Sequence, residues 1–220
     1  MTIKSYIYGF KKKFLLKIGY YNTLFYQKSW ITKAIKADKL NSNSWTPSEN
    51  LGNYQKIKDE LLIKNIKNKR VLEIGCLDGR WSRCIIDNAK EVTLCDLSSD
   101  LIPLLESKFG KNKFKFYETK GYELEGIPSH SIDFIFSIDT FPRVSKRFLK
   151  NYFKDFRRIL VPDGQILIHL PLYSSELSQS KNFVSLYRKE IIYFLEENNF
   201  YNYHIDTKTV KHGCLLMVNI

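Results

Sequence analysis

Arg70-Val71-Leu72-Glu73-Ile74-Gly75-Cys76-Leu77-Asp78-Gly79-Arg80 is the stretch that decides the fold. Val71, Leu72 and Ile74 make a short apolar run, Gly75 and Gly79 follow at once, and Trp81, Ile85 and Ile86 then take up a helical spacing. The pattern predicts strand, tight turn, helix. Such a turn aims backbone N–H groups and the positive end of a helix at a ligand, and glycine allows the backbone to approach without a Cβ in the way. A polar or anionic cofactor group is the expected occupant.

Outward from this turn, Glu91-Val-Thr-Leu-Cys-Asp96 reads as a second strand closed by a carboxylate, 21 positions after Gly75. A carboxylate there can accept two hydrogen bonds from a ribose. The flanking pattern predicts a helix over 49–66, strand 70–75, helix 79–89, strand 91–95, helix 98–109, and strands 113–117 and 131–137. It continues with helix 145–160, strand 164–170, helix 181–198, and strands 201–206 and 213–219. Alternation of this kind implies an α/β fold with a mainly parallel, doubly wound sheet covered by helices on both faces.

Glu73-x-Gly75-x-x-x-Gly79 with Asp96 resembles the first two motifs of the class I S-adenosylmethionine-dependent methyltransferases. The resemblance continues through Thr119-Lys-Gly-Tyr-Glu-Leu, Ser131-Ile-Asp-Phe-Ile-Phe-Ser-Ile-Asp-Thr-Phe and Arg158-Ile-Leu-Val-Pro-Asp-Gly-Gln-Ile-Leu-Ile-His, spanning roughly 51–220. It implies a Rossmann-like seven-stranded sheet with the last strand antiparallel, and S-adenosyl-L-methionine as cofactor. Residues 51–220 are expected to form the methyltransferase domain, and 1–50 a helical or lid extension.

The length of 220 residues suits one domain plus an extension. A net charge of +12 invites a nucleic-acid reading, but the cations are 27 Lys and 8 Arg scattered along the chain, so nucleic acid is not the favoured partner. Cys76, Cys84, Cys95 and Cys214 form no Cys-x-x-Cys pair and read as buried thiols of a reducing compartment. No run approaches a membrane span and no signal peptide is read, so a cytoplasmic protein is expected. Ile3, Ile7, Phe10 and Phe14 share a helical face flanked by lysines. Residues 1–35 are therefore expected to pack as a lid or a homodimer contact, with peripheral membrane contact as the alternative.

Carried over from the resemblance, Glu73 supports the glycine loop and the methionine amino group, while backbone at Gly75, Cys76 and Gly79 surrounds the methionine part. Asp96 takes the ribose hydroxyls and Leu97 lies against the adenine, whose edge Gly121 and Tyr122 border. Ser137, Ile138 and Asp139 reach the transferable methyl group. The preceding helix commonly closes over the cofactor, so Trp45 and Tyr54 are further candidates. Three departures stand out: Leu77 at the usual middle glycine, Lys120 where related members carry an aspartate, and Arg143 and Ser145 where a subset carries His and Glu.

Methyl transfer is an in-line displacement from a sulfonium, so the protein must align the nucleophile and, for a hydroxyl, help to remove its proton. Asp139 is the first candidate for a base or orienting group, and His169 the second. Arg143 suits a phosphate or carboxylate on the substrate. His130, His204 and His212 form no ligand spacing, and no metal is expected. Ser-Ile-Asp-Thr-Phe at 137–141 lacks the Asn/Asp-Pro-Pro-aromatic signature of enzymes that methylate amino groups. The expected activity is thus methylation of a small molecule, an oxygen of a sugar or related metabolite such as a surface polysaccharide precursor. A noncatalytic binding protein that kept the fold and an RNA methyltransferase stand as the alternatives.

Overall fold

The computed structural model describes residues 29, 31–36, 53–173 and 184–220. The expectations for residues 1–28, for Trp45, for 49–52 and for 181–183 lie outside them. A helix α1 runs through Tyr54–Lys56, Ile57–Ile63 and Lys64–Ile66, its middle part in the wider π winding. Then follow β1 (Arg70–Ile74), α2 (Ser82–Asn88), β2 (Glu91–Asp96), α3 (Ile102–Phe109), β3 (Lys115–Glu118) and β4 (Ile132–Ser137). The chain continues through α4 (Lys146–Ile159), β5 (Leu160–Leu170), α5 (Arg188–Glu197), β6 (Asn202–Asp206) and β7 (Cys214–Asn219).

Val71 to Ile74 are all buried, as a strand covered on both faces requires. β1 accordingly sits inside a seven-stranded sheet of order β3-β2-β1-β4-β5-β7-β6. β7 alone runs antiparallel, paired with β5 on one side and β6 on the other. The strand order reverses between β1 and β4, and a crevice opens beyond their carboxyl ends.

Leu72 and Ile74 join α4 and α5 in one apolar layer, while Val71 joins α1, α2 and α3 in the other. Ile31, in the helical residues 31–36, is buried in this second layer. α4 turns Phe148, Leu149, Tyr152, Phe153, Phe156 and Ile159 inward and leaves Arg147, Lys150 and Lys154 exposed. Each buried aromatic contributes about 1.5–3 kcal/mol. Phe141, in the turn after β4, meets Tyr152 edge-on at 5.1 Å and Phe156 at 5.9 Å, which fixes the loop carrying Asp139 and Arg143.

Three boundaries differ from the sequence expectation, and in one of them α5 starts at Arg188 rather than 181, residues 184–187 being described and not helical. α2 starts at Ser82 rather than 79, because Gly79 (φ +83) is still part of the turn. β5 starts at Leu160 rather than 164, running through Pro162-Asp163-Gly164 with a register shift opposite Ile132/Phe134 and Asp163 at φ +66. A bulge absorbs the residues that punctuate the sequence. No described helix is long and apolar enough to cross a membrane.

Candidate active site

The β1–α2 turn is pressed against the loop after β4. The Gly75 N–H donates to the Cys95 carbonyl at 2.7 Å. A Cβ on Gly75 (φ +80) would lie 1.9 Å from Thr140 Oγ1. Leu77 stands at φ +46, so the position keeps the left-handed backbone that favours glycine, at a cost of roughly 1–2 kcal/mol. Its N–H donates to Asp96 Oδ2 at 2.9 Å, and the Leu97 N–H donates to Oδ1 at 2.7 Å. Burial pushes the Asp96 carboxyl above its usual range, and these two N–H groups pull it back.

Glu73 faces the α2 side of the sheet, where Ser82 Oγ donates to its Oε2 at 2.6 Å. Burial, opposed by the Ser82 bond and reinforced by Asp96 and Asp78, pushes its carboxyl up to about 8. The folded state therefore holds a proton that the unfolded chain releases near pH 4.5. Stability from this group is fully present below about pH 4.5 and is lost as pH rises to about 8. Glu73→Gln is expected to flatten that decline. Chemical unfolding of both proteins at pH 5.5 and 8.5 measures it, and parallel profiles would refute it.

Beyond the β4 end, Asp139 adopts φ +62. Its N–H donates to His169 Nδ1 at 3.3 Å, and its Oδ1 lies 3.4 Å from that nitrogen and 3.3 Å from His212 Nε2. His169 Nε2 is 2.8 Å from the His212 carbonyl, which can only accept. The proton of His169 is thus on Nε2, and Nδ1 presents a lone pair toward Asp139. Burial raises the Asp139 pKa, but the His212 ring N–H and the charge of Arg143 oppose it and hold the carboxyl below the usual range. A guanidinium N–H of Arg143 donates to the Asp139 carbonyl.

One pocket spans this ground with about 940 Å³ of empty space, its open mouth included. Of the residues expected at the site, Gly75, Cys76, Asp96, Leu97, Gly121, Ile138, Asp139 and Arg143 line it. Glu73, Gly79, Tyr122, Ser137 and His169 stand behind its wall. Gly79 packs on Phe109, Tyr122 on Phe148 at 5.4 Å, and Ser137 Oγ donates to the Ile74 carbonyl at 2.8 Å. Tyr54 stacks at 4.5 Å on Trp81, which lines the pocket.

The sequence reading missed Thr140, Tyr152 and His212. It also read His212 as unable to join a ligand set, whereas its ring meets Asp139 and His169. Gly213 (φ +71) is what allows this: a Cβ there would lie 2.1 Å from the Leu170 carbonyl. His212-Gly213 was the available signal.

The methyltransferase-domain family matches residues 48–206. The chain belongs to this family and, with it, to the class I S-adenosylmethionine-dependent methyltransferases, whose cofactor is S-adenosylmethionine. A methyltransferase from Aquifex aeolicus superposes with TM-score 0.60 at 17% identity, covering 84% of this chain and 96% of that one. A putative methyltransferase in complex with the Trm112 activator from Haloferax volcanii superposes with TM-score 0.64 at 13% identity, covering 88% and 94%. Ribosomal RNA small subunit methyltransferase A from Mesomycoplasma hyopneumoniae is 42% identical over 72 residues, 30% of this chain and 27% of the relative. The chain thus spans about a quarter of the curated relatives it matches.

The residues present fit that cofactor. Each Asp96 oxygen has taken one backbone N–H, and an ionised carboxylate offers about four lone-pair sites, so acceptors remain for two ribose hydroxyls. Leu97 adds an apolar stretch to the pocket wall. Leu77 lines the pocket rather than filling it, and Lys120 is exposed.

Proposed function

We propose that the protein O-methylates a small molecule that carries a phosphate or carboxylate, a sugar or related metabolite of the kind used in surface polysaccharide synthesis. The observation that supports it is that Asp139 and Arg143 both line the pocket, with the Arg143 guanidinium held at the Asp139 carbonyl. When bound, S-adenosylmethionine supplies an electrophilic methyl group on a sulfonium.

Asp96 accepts the ribose hydroxyls, the Gly75–Leu77 backbone runs along the amino-acid tail, and Leu97 and Gly121 flank the base. Asp139, kept ionised by His212 and Arg143, accepts a hydrogen bond from the acceptor hydroxyl and aims its oxygen. Arg143 pairs with the acceptor's anionic group, a geometry that guanidinium serves well. Residues 51–220 carry this site. Residues 1–50 are assigned to a separate extension, of which the helical residues 31–36 bury Ile31 in the layer that holds α1.

The 72-residue similarity to ribosomal RNA small subunit methyltransferase A favours a second reading, methylation of RNA. The Ser-Ile-Asp-Thr-Phe run at 137–141 weighs against an amino-group acceptor. One experiment separates the two: the protein with methyl-labelled cofactor and a cell extract split into small-molecule and RNA fractions. Label is expected in the small-molecule fraction, reduced about a hundredfold or more by Asp139→Asn. Label confined to RNA would establish the second reading. Cofactor binding with no transfer to either fraction would leave a noncatalytic binding protein.

A further inference from the structure

We infer that Asp139, His169 and His212 form a binding site for one divalent transition-metal ion, beside the acceptor end of the pocket. Their donor atoms, one carboxylate oxygen and two imidazole nitrogens, all lie within 4.8 Å of one another. They arrive from the end of β4, the end of β5 and the turn before β7, and the two histidines are buried.

The spacing of Asp139 from each of the two imidazoles fits coordination better than hydrogen bonding. Asp139 Oδ1 is 3.4 Å from His169 Nδ1 and 3.3 Å from His212 Nε2. Charge-assisted N–H···O bonds close to about 2.7–2.9 Å. A tetrahedron of ligands at roughly 2.0–2.1 Å from zinc has edges of about 3.3–3.4 Å. His169 is also held in a ligating tautomer, since its Nε2–H is committed to the His212 carbonyl at 2.8 Å, and its Nδ1 lone pair, which in this structure takes only a long 3.3 Å bond from the Asp139 N–H, is what the ion would engage. A second-sphere backbone carbonyl that fixes the tautomer of a ligating imidazole is a recurrent feature of metal centres.

The donor set and the surrounding charge select the ion. Arg143 bonds the Asp139 carbonyl, and Arg80 interacts with Asp139 across the pocket. These cations oppose an ion held by charge alone, which disfavours Mg²⁺ and Ca²⁺. Two imidazoles and one carboxylate suit Zn²⁺, Fe²⁺, Co²⁺ or Ni²⁺. Three protein donors leave a position for water or an acceptor oxygen, whose proton such an ion makes easier to lose to solvent.

Co²⁺ titration of untagged, chelator-stripped protein tests the site without recourse to catalysis, so it stands whether or not the methyl acceptor is a small molecule. Visible d–d bands saturating at one equivalent are expected, with Zn²⁺ displacing them. His212→Ala and His169→Gln should each weaken binding at least tenfold, while His204→Ala leaves it unchanged. S-adenosylmethionine binding by His212→Ala shows that the fold persists; if it is lost, His212→Gln replaces that variant. The inference is overturned if the wild type gives no bands with millimolar Co²⁺, or if the bands survive both substitutions or vanish in His204→Ala.

Discussion

Asp96→Ala is expected to weaken S-adenosylmethionine binding at least a hundredfold in calorimetry. Two hydrogen bonds from ribose hydroxyls to an ionised carboxylate are worth about 1.5–3 kcal/mol each, and alanine removes both acceptors. The same change strands the N–H groups of Leu77 and Leu97, which donate to Oδ2 and Oδ1. Each loss costs about 1–3 kcal/mol where water cannot replace the carboxylate, so the melting temperature should fall as well. Asp96→Asn separates the two effects: it keeps one acceptor oxygen, recovers part of the stability and still binds cofactor poorly. An affinity change below threefold in the alanine variant would show that the ribose is held elsewhere.

Gly75→Ala is expected to destabilise the protein by about 2–5 kcal/mol. The left-handed backbone at φ +80 accounts for roughly 1–2 kcal/mol of this. The remainder is overlap, since the new methyl would lie 1.9 Å from Thr140 Oγ1 and 2.9 Å from its Cβ and Cγ2. Overpacking of this kind costs about 1–3 kcal/mol. Thr140→Ala in the Gly75→Ala background should restore most of the overlap share, since it removes Oγ1 and Cγ2 but keeps the Cβ at 2.9 Å, and leave the backbone share, a non-additivity that urea midpoints resolve. A Gly75→Ala protein within 0.5 kcal/mol of wild type would mean that the turn does not press on the β4 loop.

The sheet was legible because its signals are local. The apolar run at 71–74, the glycines at 75 and 79 and the acid at 96 each report on a few neighbouring residues, and the observed strands begin and end within a few positions of the expected ones. The bulge in β5 escaped because Pro162 and Gly164 look like a break unless the partner strand is known. Glu73 was legible as buried support and not in its partner, since Ser82 reaches it only once the turn has folded. The histidine pair escaped because its members stand 43 residues apart and converge through the pairing of β5 with β7, which no one-dimensional spacing encodes.

β7 is inserted between β5 and β6, although it is made after both. During synthesis the chain therefore carries β5 with a bare edge until residues 214–219 have left the ribosome. That edge is apolar along Ile166, Leu167 and Ile168, a surface that invites mispairing with other nascent strands. Loss of these six residues would split the sheet instead of trimming its margin, and would remove His212's anchorage with it.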